Sequence, residues 1–211
     1  MKENKDCPVR RWRRRKEARP SEILEAALEL FVDRGYNATR LEQIAHAAGI
    51  SKGTLYLYYG SKEDLFRSMV KEVLLPHVER FEQQALNHQG SAKDLLRAMA
   101  YGWWQSVGDT QLAGIPKLII AEANNFPELA RYYVEQIIER ARKLVAAIVQ
   151  RGIAQNEFRD CDTELAARAL LAPLVFAAIW KNSLQQFDSP YSIEEYIDLH
   201  LDLTLNGLII K

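Results

Sequence analysis

A chain of 211 residues with 28 Lys and Arg against 28 Asp and Glu, and only Cys7 and Cys161 as cysteines, has material for one small and one ordinary domain and is no disulfide scaffold. No run reaches the roughly 18 consecutive apolar residues of a membrane span, and the positive N-terminal run leads into a segment with Glu22, Glu25 and Glu29 rather than an apolar block, so no secretory signal is expected. A cytoplasmic protein without a membrane partner follows as an expectation. The neutral total hides an asymmetry, because residues 1–20 carry nine Lys and Arg against three acids and the remainder is acidic. A locally basic surface on a neutral chain suits a nucleic-acid partner.

Residues 1–19 read as a flexible basic arm. Two readings stand for Arg10 to Arg19: an arm lying along phosphates or entering a minor groove, with log affinity falling by about 0.9 per log salt for each phosphate neutralised, or a solubilising tail. Trp12 has no role in either. A first helix follows, with Ile23, Leu24, Ala27, Leu30 and Phe31 at helical spacing, Ser21 as its cap and Gly35 as its end. Leu41, Ile44, Ala45 and Ala48 repeat the spacing behind a Thr39 cap, and Gly49 supplies a turn. Ser51 then caps a third, short helix anchored by Leu55 and one edge of Tyr59. Ser51, Lys52, Gly53, Thr54, Tyr56 and Tyr58 are left to face outward. Two short helices joined by a glycine turn make a helix-turn-helix. Gly53 lets the backbone approach a major groove closely, while Lys52 and the hydroxyls suit phosphates and base edges.

The stretch from Ile23 to Phe66, above all Gly35-Tyr36, Thr39, Ile44-Ala45, Ala48-Gly49, Ser51-Lys52-Gly53-Thr54-Leu55-Tyr56, Tyr58-Tyr59 and Ser61-Lys62-Glu63-Asp64-Leu65, closely resembles the DNA-binding domain of TetR/AcrR-type transcriptional regulators. Tyr58-Tyr59-Gly60 departs from the histidine and phenylalanine found there in many members. The resemblance implies that Thr39, Arg40, Ser51, Lys52, Gly53, Thr54, Tyr56, Tyr58 and Lys62 contact double-stranded operator DNA. It places the DNA-binding domain at 20–66 and an effector-binding and dimerisation domain at 67–211.

Beyond Ser61, which with Asp64 opens a fourth helix, the apolar positions run to about Gln89, a length of about 40 Å that can join two domains. Pro76 lies within it, as a static bend or a hinge. A fifth helix starts at Ser91 and ends near Gly108. A sixth covers Leu112 to Ala123, and Phe126-Pro127-Glu128 opens a seventh that reaches about Gln155. An eighth begins near Asp162-Thr163 and is broken or bent at Pro173; a ninth opens at Ser192 and ends at Gly207. About nine helices and no alternating strand pattern give an all-α chain. Ala121-Glu122-Ala123 followed by Phe126-Pro127-Glu128-Leu129-Ala130 is similar to a feature of AcrR-like members, and by that likeness the C-terminal part binds a small effector and dimerises.

The residues support each half of that expectation. Aromatic side chains accumulate after residue 80, and Phe81, Tyr101, Trp103, Trp104, Phe126, Tyr133, Phe176 and Trp180, with Glu122 to orient a cation, are candidates to line a pocket for an apolar or aromatic ligand; the other reading is that they fill an ordinary core. The eighth and ninth helices carry more apolar surface than one face needs, so Leu170, Leu171, Leu174, Val175, Ala178 and Ile179 with Tyr196, Leu199, Leu203 and Leu208 are expected to pair with a second copy as a four-helix interface. Two readers about 34 Å apart would then meet a palindrome. His46, His77, His88 and His200 have no metal-ligand spacing, and neither a phosphate loop nor a Gly-x-Ser-x-Gly elbow occurs, so neither enzyme chemistry, a metal nor a cofactor is expected. Two further functions stay open: a helical ligand-binding or adaptor protein with a vestigial reader, and an architectural DNA-binding protein without effector.

Overall fold

The computed structural model describes residues 20–208, which form helices without a strand; the basic arm 1–19, with Cys7 and Trp12, lies outside the described residues. Helices α1 (Pro20–Arg34), α2 (Leu41–Ala47) and α3 (Lys52–Tyr58) precede the long α4 (62–87), α5 (92–108), α6 (Gly114–Glu122), α7 (127–154), α8 (Thr163–Lys181) and α9 (Ile193–Leu208). Most ends follow local chemistry. Gly35, at φ +85°, takes the left-handed conformation that stops α1, and its N–H reaches Phe31 O at 3.0 Å. Ser51, Ser61, Ser91 and Asp162 cap α3, α4, α5 and α8 by accepting from the backbone N–H three residues on.

Four expected ends differ. Pro20 is already helical, which puts Ser21 inside the first turn rather than at the cap. Arg40, not Thr39, is the N-cap of α2, where Gln43 Oε1 accepts from the Arg40 N–H at 2.9 Å. A 3-10 turn, Gln111–Ala113, precedes α6, and α9 continues through Gly207 to Leu208.

The buried side chains fall into two clusters. The first joins α1–α3 to the start of α4, to α6 and to the start of α7, through Phe31, Tyr36, Leu55, Phe66, Ile115 and Tyr133. The second lies among α5, α7, α8 and α9, through Leu95, Trp104, Val149, Phe158, Leu174 and Leu201. Three helices serve both, and each contains a π turn: Val70–Leu74 in α4, Trp104–Gly108 in α5 and Val134–Ile138 in α7. The turns lie where the helices cross over. Val70 and Leu74 belong to the first cluster and Phe81 to the second; Trp104 to the second and Val107 to the first; Tyr133 to the first and Val145 to the second. An extra residue in one turn shifts the apolar stripe round the helix, which lets one helix face two cores in succession. In α4 the same turn accommodates Pro76. The Leu75 N–H bonds Val70 O, five residues back, so the ladder is already widened where the ring would clash and the N–H is missing.

Pro173 leaves α8 continuous. Carbonyls around it are bound by α9: the Tyr196 hydroxyl donates to Pro173 O at 3.3 Å and His200 Nε2 to Leu170 O at 3.0 Å. By length and composition α8 is apolar enough to cross a membrane, although Glu164, Arg168 and Pro173 interrupt its apolar run. Only part of it is buried, in packing against α5, α6, α7 and α9.

At Gly114 the first turn of α6 meets α1. A Cβ there would lie 2.5 Å from Val32 Cγ1 and 2.7 Å from Cγ2, a clash that a β-branched side chain cannot swing away from. Gly114→Ala should lower unfolding free energy by about 1–3 kcal/mol in urea titrations, and adding Val32→Ala should restore most of the loss.

Candidate nucleic-acid interface

Helix α3 is held by one side only. Leu55 is fully buried and Tyr59 nearly so, whereas Ser51, Lys52, Gly53, Tyr56, Leu57 and Tyr58 are exposed and Thr54 half-buried. Ser51 Oγ accepts from Thr54 N at 3.0 Å and lies 2.8 Å from its hydroxyl, so both polar groups are ordered at the open N-terminal end. Lys52 Nζ is 2.5 Å from Glu42 Oε1 on α2 and 5.7 Å from the Tyr56 ring. Hydrogen bonding within this pair holds the Glu42 carboxyl below its usual range and lifts the Lys52 ammonium. Both groups are exposed, so salt screens the pair and Lys52 is readily re-partnered. Arg40 lies exposed at the start of α2.

Two expected DNA contacts point elsewhere. Thr39 is 1% exposed, and its hydroxyl donates to Gly35 O at 2.8 Å and Leu30 O at 3.1 Å. It ties the carbonyls at the end of α1 and offers no side-chain atom to a phosphate. Lys62 Nζ donates to the carbonyls of Tyr36, Thr39 and Asn37 at 2.8, 3.0 and 3.3 Å, and stands 4.5 Å from the Tyr36 ring centroid. All three of its protons are used within the fold, and burial pushes its pKa down.

That same turn meets the C-terminal helices. Tyr36 is 1% exposed and its ring stands edge-on to Phe126, 4.7 Å between centroids, with Phe31 and Phe66 around it. Among the described residues its hydroxyl has no hydrogen-bond partner, and burial, reinforced by the Glu63 charge, raises its pKa. Glu122, expected to orient a ligand, instead accepts from the Asn37 N–H at 3.1 Å through Oε1 and from Asn125 Nδ2 at 3.0 Å through Oε2. Between these residues lies a void of about 10 Å³ lined by Tyr36, Phe66, Leu118, Glu122 and Phe126, room for about one water molecule. Farther along, Arg67 lies over the Tyr132 ring at 4.9 Å, and Arg140 clamps Glu82 with bonds of 2.6 and 3.0 Å. Helix α4 is thereby fastened to α7 on both sides of its π turn.

The expected aromatic pocket is not assembled. Phe126 and Tyr133 belong with the first cluster and Phe81, Tyr101 and Trp104 with the second; Trp103 touches both. Trp180 donates from Nε1 to Asp188 at 3.0 Å, and Phe176 is 58% exposed on the outer face of α8. Helical spacing marks these rings as apolar positions without saying which neighbour each meets. The expected pairing surface also divides. Leu170, Leu174, Ala178 and Leu208 are core, whereas Leu165, Phe176, Leu199 and Leu203 form the exposed apolar face of α8 and α9. A larger depression of about 320 Å³, bounded by Leu30, Arg34, Glu42 and His46, is an open groove outside α1 and α2 and holds none of the expected ligand residues.

Sequence reasoning missed Leu57, Glu42 and the Asn37–Glu122 bond. Only Leu57 had a signal, for it stands two residues, about 200°, from the buried Leu55.

The comparisons with known proteins agree with this geometry. The family described as bacterial regulatory proteins, tetR family, matches residues 23–69, and the tetracyclin repressor-like C-terminal domain matches residues 86–189. An uncharacterized HTH-type transcriptional regulator, YezE of Bacillus subtilis, is 31% identical over 163 residues, covering 74% of this chain and 81% of its own. The fatty acid metabolism regulator protein of the same organism is 27% identical over 177 residues, covering 82% and 90%. A crystal structure of the Bacillus subtilis regulator FadR in complex with stearoyl-CoA shares the fold with a TM-score of 0.76, at 24% identity over 90% of this chain and 99% of that one. With a helix-turn-helix whose reading face is open and a helical domain clasped to its base, the chain belongs to the TetR family of bacterial transcriptional regulators.

Proposed function

We propose that this protein is a cytoplasmic dimeric repressor that binds a palindromic operator through α3 and is released by a largely apolar ligand. The observation that carries the reading is the pairing of an open face on α3 with a closed clasp at its base, where Glu122 and Phe126 grip the turn after α1. The DNA contacts proposed are Arg40, Ser51, Lys52, Gly53, Thr54, Tyr56 and Tyr58. Thr39 and Lys62 hold the turn that positions them. The reader is taken as residues 20–66 and the effector domain as 67–211, with the first core cluster shared between them.

The exposed Leu165, Phe176, Leu199 and Leu203 support a four-helix interface made by α8 and α9 with their copies. For the effector, a relative that regulates fatty acid metabolism and a fold neighbour crystallised with stearoyl-CoA favour long-chain acyl thioesters. Such a chain would enter beside Trp103, which touches both clusters, and would have to open the core to do so. A ligand preferring the opened state shifts the population of reader spacings, and a coupling of about 1–3 kcal/mol changes operator affinity by roughly 5- to 150-fold.

Selection of bound DNA from a random pool should return a palindrome with half-sites about 34 Å or somewhat more apart. On that operator, Lys52→Ala should lower the slope of log affinity against log salt by about 0.9 per half-site. Lys62→Met should instead cost about 1–3 kcal/mol of folding stability and leave the salt slope unchanged; a lowered slope would make Lys62 a phosphate contact. Stearoyl-CoA should raise the melting temperature and weaken operator binding. If neither changes, this effector class is wrong while the operator reading stands. Leu199→Glu with Leu203→Glu should yield a monomer by light scattering, and a dimer of unchanged mass would place the interface elsewhere.

A further inference from the structure

Leu57 is 85% exposed on α3, flanked by Tyr56 at 43% and Tyr58 at 41%. It is the one residue of the reading face with neither a donor nor an acceptor on its side chain apart from Gly53, and these two stand four positions apart on the same side of the helix. A Cβ built on Gly53 would meet only Ser51 Oγ, at 3.8 Å, so the helix surface there is bare. Side chains in a helix tilt toward its N-terminus, which inclines Leu57 back over that bare backbone. Leu57 and the bare backbone at Gly53 thus present a small exposed apolar surface, flanked in sequence by Tyr56 and Tyr58.

We propose that this apolar surface reads the C5-methyl group of a thymine in each operator half-site. The inference rests on the operator reading given above. In the major groove guanine offers two acceptors, cytosine a donor, adenine an acceptor and a donor, and thymine alone adds an apolar methyl group. Leucine against the other edges would strip water from polar atoms and return no hydrogen bond, which is costly. The apolar surface therefore attracts thymine and disfavours cytosine at the same position, so Leu57 is a specificity-determining residue where Lys52 contributes charge. Because Leu57 packs on nothing within the described residues that buries it, truncating it should leave the fold intact.

The test uses the full chain and the operator selected from the random pool, with each thymine replaced in turn by deoxyuridine, which removes only the methyl group. At one thymine per half-site the parent should lose about fourfold in affinity, and about fifteenfold with both half-sites replaced, from a buried methyl contribution of about 0.8 kcal/mol. Leu57→Ala should bind the thymine and deoxyuridine operators equally, with an unchanged melting temperature, and Leu57→Met should regain part of the preference. A parent indifferent to every replacement, or a Leu57→Ala variant that loses as much as the parent at the same site, overturns the proposal while leaving the operator reading in place. A pool that yields no preferred sequence overturns both.

Discussion

The turn after α1 is gripped from two directions, and the placement of the reader follows from that grip. A helix ends with carbonyls that need donors. Here Lys62, from the first turn of α4, supplies one ammonium to three carbonyls of the turn, and Thr39 supplies its hydroxyl to Leu30 and Gly35. On the opposite side the Asn37 N–H is satisfied by Glu122 at the end of α6, and the Tyr36 ring is closed in by Phe126. Donors to the turn thus come from the reader and its connecting helix, while its acceptor comes from the C-terminal helices. Hydrogen-bond direction fixes the angle between domains more sharply than apolar area alone, which is non-directional. A net hydrogen bond contributes about 0.5–1.5 kcal/mol, close to the few kcal/mol that separate states in an allosteric switch.

The three π turns extend this constraint through the bundle. Each lies where a helix leaves one core cluster for the other, in α4, α5 and α7. Helices α4 and α7 are also pinned together outside their π turns, by Arg67 on Tyr132 and by Arg140 on Glu82. Motion introduced between the clusters therefore meets its softest backbone at the crossovers, where the hydrogen-bond ladder is already widened, rather than within either core. Trp103, on α5, packs against both clusters at this crossover.

Much of this plan is legible in the residue order. Apolar spacing together with Ser51, Ser61, Ser91, Asp162 and Gly35 marks helix ends because capping is local chemistry, complete within four residues. Thr39 and Lys62 were legible as part of the reader but not in their direction: Thr39 turns back onto carbonyls at the end of its own preceding helix, and the carbonyls Lys62 binds are brought to it by the packing of that turn on α4. The aromatic residues fail for a related reason. Period 3.6 identifies an inward stripe but not the neighbour it meets, so Phe81, Phe126 and Phe176 look alike in sequence and end in the second cluster, at the seam and in solvent. Only Pro76 hints at a π turn; the other two have no local signature. At Gly207 the helix runs one residue beyond the glycine, to Leu208.

The α8–α9 pair shows which part of the molecule is free to respond. Pro173 removes one bond from the α8 ladder, and Tyr196 and His200 of α9 bind carbonyls beside it, with Thr204 in turn 3.3 Å from His200 Nδ1. The two helices are thereby cross-linked through side chains before any partner arrives, and an apolar face already held in place has little ordering cost left on association. In the proposed dimer this makes α8 and α9 the fixed base, whose geometry a ligand does little to change. What remains adjustable is the linkage above it, through the π turns of α4 and α7 and the Glu122–Asn37 bond. In the proposed dimer, a change in the distance between two readers would then arise from each reader tilting on its own clasp over a constant interface, rather than from the two subunits sliding past one another.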